Sequence, residues 1–287
     1  MAHTIRLRFE TQSIWAMKTF RKYLYAMWFG VQMNLAYRVN FFARAIFGLI
    51  PIAAVIAMWK TIYAGQGQQS TVAGYSLSEM VTYYILICVL DMLIAVHDDD
   101  LQIAREIREG TINQFLVKPM DYMWFRLSMF TGGKIAYTTV ALWPLLTFIL
   151  LLKNNFQGPV SSQALALFVF SALLGACLQF FISYTVAMLA FWVLEVSTFI
   201  FIVFAFEFIA SGRLFPLDLL PSPLLQILMW SPFPYELYLP LAIYSGKVTG
   251  FELVRGLLLQ AAWVCIMAGL ARLIMNLGIK RFSAYGG

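Results

Sequence analysis

Leu101-Gln102-Ile103-Ala104-Arg105-Glu106-Ile107-Arg108-Glu109-Gly110-Thr111-Ile112-Asn113-Gln114-Phe115-Leu116-Val117-Lys118-Pro119 is the densest patch of mixed charge in the chain. It lies between two long apolar runs, in a sequence that is 61% hydrophobic and only 12% charged. A soluble domain carries about 25% charged residues. A charged stretch of this kind, flanked by runs long enough to cross a bilayer, reads as a loop between membrane spans. The mean hydropathy of +0.77 agrees. Within the stretch, Ile103 and Ile107 share one face of a helix. Arg105 and Glu109, also four residues apart, share another. Gly110 can end that helix, and Pro119 restricts the residue before it.

Working outward, the sequence predicts six spans: about 37–62, 78–97, 132–152, 163–189, 195–213 and 251–277. At 1.5 Å per residue, about twenty residues cross the hydrocarbon core. Ser76, Ser78 and Glu79 open the second span with capping chemistry. Pro51 is a candidate kink in the first. The tract 154–194 holds no charge and, extended to Gly212, is long enough for two crossings, with a turn expected near Trp192–Glu195. Residues 214–249 differ. They carry Pro216, Pro221, Pro223, Pro232, Pro234 and Pro240, six of the ten prolines. A continuous helix is excluded there, so a broken, re-entrant or interfacial hairpin is expected, with Phe233, Tyr235, Tyr238 and Tyr244 at headgroup level.

Upstream of the first span, Met17, Phe20, Leu24, Met27, Trp28, Val31 and Leu35 recur at helical steps, with Lys18 and Lys22 away from the stripe. This predicts an amphipathic helix lying in the headgroup plane. A soluble helix packed on a partner is the alternative. No cleavable leader is expected, because the first 38 residues are basic and lack an apolar core ending in small residues. Six spans put both termini on one side. With the termini inside, fifteen of the twenty Lys and Arg residues face the cytoplasm. Lys60, Lys153, Arg213, Lys247 and Arg255 face outward. The positive-inside rule supports that orientation and explains the net charge of +6 without nucleic acid.

The chemistry-bearing motifs are few. Gly133-Lys134 and Gly246-Lys247 lack the flanking residues of a phosphate-binding loop, and no HExxH is present. Cys88, Cys177 and Cys265 sit singly in apolar runs and read as packing residues. His97-Asp98-Asp99-Asp100 resembles a metal or acid–base cluster, but neighbouring helical positions point about 100° apart, so a solvated helix end is expected. Asp91 and Glu207 lie at membrane depth, where charge is costly unless paired or hydrated. Glu207 either lines a pathway or pairs structurally, for example with Arg213. For Asp91 the structural role is favoured.

Three motifs in order resemble the permease subunit of type-2 ABC exporters, in the branch of single-domain permeases. The first is Ile107-Arg108-Glu109-Gly110-Thr111 followed by Leu116-Val117-Lys118-Pro119. The second is Gly212-Arg213-Leu214-Phe215-Pro216-Leu217 with Leu220-Pro221, Pro232-Phe233 and Pro240 to Gly246. The third is Gly278-Ile279-Lys280-Arg281-Phe282-Ser283-Ala284. The resemblance covers essentially the whole chain.

It implies an all-α membrane protein with a tail and elbow helix over 1–36 and a six-helix permease domain over 37–277. That domain would contain a cytoplasmic coupling region at 98–131 and an external re-entrant hairpin at 214–249. A cytoplasmic tail would follow at 278–287. Arg105, Glu106, Arg108, Glu109, Gly110 and Thr111 would form the surface that docks on an ABC ATPase dimer. Glu207, and Asp91 with it, would line the route between this permease and a second copy or a related permease. The chain would hold no cofactor, with ATP and magnesium on the ATPase, and would reside in a bacterial cytoplasmic membrane. Two other classes compete: a proton-coupled secondary transporter using Asp91 or Glu207, and a membrane enzyme using the His97 cluster. The secondary transporter would show inverted repeats, and the two halves show no sequence echo.

Overall fold

The computed structural model describes residues 20–66, 71–72, 74–96 and 99–281. Helix α1 covers residues 20–35. It is followed by α2 (Arg38–Gln66), α3 (Leu77–Ile94), α4 (Asp99–Arg108), α5 (Asn113–Leu116), α6 (Tyr122–Leu151) and α7 (Ser162–Ala187). Then come α8 (Ser197–Ala210), α9 (Ser222–Leu228), α10 (Tyr238–Tyr244) and α11 (Gly250–Arg281). Five helical stretches are long and apolar enough to cross a membrane: α2, the stretch of α3 and α4, α6, α7 with the turn that extends it, and α11.

The helix ends follow local chemistry. At the start of α3, Glu79 N donates to Ser76 Oγ at 3.3 Å, and Ser76 N donates to Glu79 Oε2 at 2.7 Å. This capping box satisfies two otherwise orphaned donors. Trp124 N donates to Asp121 at 3.2 Å, so α6 begins at Tyr122, well before the expected span start at Gly132. The last residues of the expected 98–131 loop are therefore helix. Pro51 and Pro144 sit inside α2 and α6 without ending either.

Helix α3 is the axis of the molecule. Twelve of its 18 residues are buried, with α2, α6 and α7 packed around it. Helix α11 packs on the other side of α7. In lipid, apolar burial does not drive helices together, so close packing of small residues matters. A Cβ on Gly132 would meet the Met27 carbonyl oxygen at 2.2 Å, and one on Gly30 the Met129 carbonyl oxygen at 2.9 Å. These glycines seat α1 on α6. Val31 is buried in that contact, whereas Phe20, Leu24, Tyr25 and Trp28 are exposed. Lys22 donates to the Pro119 carbonyl rather than reaching outward. Met17, Lys18 and the rest of residues 1–19 lie outside the described residues.

The segment 211–249 is short helices and turns, as its prolines require. Tyrosines hold it in place. Tyr83 donates to the Gly212 carbonyl at 2.6 Å and Tyr84 to that of Leu214 at 2.9 Å. Tyr75 and Tyr238 donate to the two carboxylate oxygens of Asp218 at 2.6 and 2.7 Å. Tyr235, Tyr238 and Tyr244, expected at headgroup level, are buried within the protein. Their hydroxyls go to Met229 O, Asp218 and Gln157 O. A turn-rich chain inside a protein must find partners for its polar groups, and the phenols follow the same demand. The large exposed apolar residues of the segment are Leu214 and, on and just after α9, Leu224, Ile227 and Trp230.

Candidate functional site

Two places in this fold concentrate polar chemistry. The first is α4 and the chain that follows it. The apolar face of α4, Ile103, Ala104 and Ile107, is buried. The two isoleucines pack among Tyr122, Met123, Phe180, Tyr184 and Met188. Gly110 adopts φ +74°, the left-handed conformation that lets the helix end and the chain turn. Thr111 Oγ1 donates to the Glu106 carbonyl at 3.3 Å, bracing that turn.

The six residues singled out in the sequence divide into two groups. Arg105, Arg108 and Glu109 are exposed. Arg108 also donates to the Leu194 carbonyl at 3.0 Å, which ties α4 to the α7–α8 turn. Glu106 is turned inward, Gly110 is half-buried, and Thr111 is half-buried against the turn. The Glu106 carboxylate forms an ion pair with Arg126 and accepts from the Tyr122 hydroxyl at 2.7 Å. Arg126 in turn donates to the Tyr122 oxygen at 3.1 Å. Glu106 thus locks α4 to the first turns of α6. Beside the exposed charges stand the equally exposed Leu116, Val117 and Lys118.

The second place is a buried polar cluster between α3, α7, α8 and the 211–249 segment. Asp91 does not lie alone: Arg213 is 2.6 Å from its carboxylate. Arg213, assigned above to the outer side, is thus drawn in to α3, and it pairs with Asp91 rather than with Glu207. Lys134 donates to the Ala95 carbonyl nearby. Glu207 is buried and accepts from Gln179 Nε2 at 3.1 Å. It lines a cavity of about 210 Å³ with Gln179, Ser183, Asp100 and Arg213. On the other side, Asp91, Arg44 and Arg213 line a cavity of about 340 Å³ with apolar walls from α2, α3 and α6.

Sequence reasoning missed Glu236, Gln179 and Arg126. Glu236 is fully buried beside Glu207. It had a signal, as the sole charge between Asp218 and Lys247. Of the His97–Asp100 run, His97 and Asp98 lie outside the described residues. Among the described residues no group of three or more His, Cys, Asp or Glu could hold a metal ion.

A comparison with protein-family profiles matches residues 49–286 to a family described as ABC-2 family transporter protein. The chain belongs to the ABC-2 transporter family. The match runs from α2 through α11 and so includes both polar sites. Comparison with curated proteins and with solved structures returned no match. Apolar helices and family together make this ABC-2 protein a multi-pass membrane protein, a permease of the transport class. ABC-2 permeases are generally the non-catalytic membrane components of systems that work with an ABC ATPase.

Proposed function

We propose that this chain is the transmembrane permease subunit of an ATP-driven exporter, with its engine on a separate ATPase dimer that carries the ATP and magnesium. The observation that carries this reading is the exposed arc of Arg105, Arg108, Glu109 and Val117 on an element whose opposite face is anchored. Ile103 and Ile107 key α4 into the core, and Glu106 keys it to Arg126 on α6. A solvated loop needs no such anchoring. A helix that receives a push does, because force on a rigid short element becomes tilt in the spans attached to it. Residues 98–131 then act as the cytoplasmic coupling region. Glu106, Gly110 and Thr111 set its shape, while Arg105, Arg108 and Glu109 meet the ATPase.

The same reading places both termini in the cytoplasm of a bacterial inner membrane, with α1 as the elbow helix and residues 278–287 as a cytoplasmic tail. Residues 37–277 form the permease domain, and α8 serves as the fifth of six spans. Its 14 residues reach only about 21 Å, short of a core about 30 Å thick. The crossing is completed by residues 211–216, irregular backbone that the Tyr83 and Tyr84 hydroxyls satisfy from within the protein. Residues 214–249 are the external re-entrant hairpin. The exposed Phe201, Ile202, Phe206 and Ile209 of α8 face a second permease, identical or related, across the substrate route, and membrane lipid around it. The apolar cavity ending in Arg44, Asp91 and Arg213 suits an amphipathic substrate.

Charge reversal tests the coupling. Arg108→Glu with Glu109→Arg should abolish co-purification with the partner ATPase, and with it nucleotide-dependent transport. The permease itself should remain folded. Intact partner binding and transport in that double variant would exclude the coupling role.

A further inference from the structure

Glu236 and Glu207 meet where the 211–249 segment touches α8. Glu236 is fully buried, and among the described residues no donor reaches either of its carboxylate oxygens. The polar group facing it is a second carboxyl, that of Glu207. Glu207 is 4% exposed, and its one donor is Gln179 Nε2 at 3.1 Å. The Oε1 of Gln179 is buried without a partner as well. Gln179 and Glu207 both border the cavity of about 210 Å³. Buried donors without partners stand close by, Ser211 Oγ and Arg213 Nε, but neither reaches the Glu236 oxygens.

The surrounding charges do not repair this. The groups facing the pair are Arg213, which follows α8, Asp91 on α3 and Asp100 on α4. Arg213 is 2.6 Å from Asp91 and is neutralised there. With both glutamates ionised, two carboxylates would stand together, and among the described residues no cation forms an ion pair with either. Two carboxylates in contact cannot both ionise in such surroundings. The position of Glu236 is also fixed by packing. A Cβ on Gly175 of α7 would meet the Glu236 carbonyl oxygen at 2.7 Å, and Gln260 of α11 donates to the neighbouring Tyr235 carbonyl at 2.7 Å.

We propose that Glu207 and Glu236 form a proton-binding site, holding one proton between them as an acid–carboxylate latch between α8 and the 211–249 segment. The shared O–H supplies the missing donor. Glu236 is held against α7 and α11, whereas α8 buries only Glu207 and Ala210. When the proton leaves, two like charges stand in contact, and α8 is the partner free to move. Its withdrawal widens the cavity that Glu207 lines. The latch belongs to this chain alone and does not depend on how the ATPase engages α4.

The test uses the full-length chain in lipid nanodiscs without any ATPase. Infrared difference spectroscopy in H₂O and D₂O reads protonated carboxyl groups directly. The wild type should show a protonated-carboxyl band at neutral pH, lost in Glu236→Gln, where a neutral amide donates to Glu207. Thermal unfolding gives a second readout. Glu236→Gln, whose amide donates to Glu207 without titrating, should remove the pH dependence of unfolding that the pair contributes. No band in the wild type, or a band retained in Glu236→Gln, would overturn the proposal. So would protection of the wild type, but not of Glu236→Gln, by sodium or potassium at fixed pH, since the occupant would then be a metal cation.

Discussion

Gly132 fixes how closely α1 can approach α6. A Cβ there would meet the Met27 carbonyl oxygen at 2.2 Å and the Val31 nitrogen at 3.0 Å, both backbone atoms that cannot rotate away. Gly132→Ala must push the helices apart, with an expected loss of about 1–3 kcal/mol, read as a lower melting temperature of the purified chain. Gly133→Ala is the control, since its new methyl meets only the Asn34 side chain, at 3.3 Å. Glu106 makes the same point with charge. Arg126 is 3% exposed, so Glu106→Ala strands a buried cation, at an expected cost of about 3–5 kcal/mol. Glu106→Gln keeps an acceptor for Tyr122 and should cost less. Neither outcome was legible in the sequence. A glycine pair at a span start does not say which backbone it touches. Glu106 and Glu109 stand three positions apart in a charged run, yet one is turned inward in an ion pair and the other is exposed. What was legible was chemistry without direction: Asp91 as a paired acid could be read, but its partner Arg213 stood across more than a hundred residues.

The long apolar runs gave α2, α3, α6, α7 and α11 at once, because hydrocarbon forces a spanning chain to satisfy its own backbone as helix. The same rule read the break between α7 and α8 near residues 192–196. It could not read the interior of 211–249, where partners come from other elements. Tyr83 is the clearest case. It looks like any aromatic in an apolar helix, yet its hydroxyl donates to the carbonyl of Gly212, a residue at φ +86° whose Cβ position lies 2.8 Å from that oxygen. Tyr83→Phe orphans that carbonyl. The expected loss is about 1–2 kcal/mol, with faster hydrogen exchange across residues 212–217 as the local readout. At the other end of α8, the Ser197 hydroxyl and N–H both donate to Glu195, holding that exposed carboxyl below the usual range. A depressed carboxyl stabilises the fold above its unfolded value and loses that contribution as pH falls through its folded one. Protection from exchange in the first turn of α8, corrected for the intrinsic rate, should therefore fall in the wild type as pH drops through the carboxylate range. Glu195→Ala should be poorly protected at every pH.

Across the whole molecule, α7 is the member shared by both ends. Its last turns pack with α4, Met275 of α11 and the start of α6 in one apolar cluster. Near its middle, Gln260 of α11 reaches across it. Gln260 is fully buried. It accepts from Ser171 Oγ at 2.9 Å and donates to the Ser171 carbonyl at 2.8 Å and to the Tyr235 carbonyl at 2.7 Å. One amide therefore ties α7, α11 and the 211–249 segment together. A tilt of α7 begun at α4 must either carry that segment with it or break these bonds. Gln260→Leu removes all three while nearly keeping side-chain volume, and it takes this donor from the Tyr235 carbonyl and this acceptor from the Ser171 hydroxyl, while the Ser171 carbonyl keeps its helical bond. The expected cost is about 3 kcal/mol in thermal stability, because orphaned buried groups lose their full desolvation. Ser171→Ala removes a single donor and should cost about 1 kcal/mol. Combining the two should add little to Gln260→Leu alone, since both act on one network. Hydrogen exchange places the effect. If Gln260 is the tie, residues 233–249 exchange faster in Gln260→Leu while α2 and the start of α6 stay as protected as in the wild type. Uniform acceleration over all helices would make Gln260 a general packing residue and leave the segment's motion independent of α7.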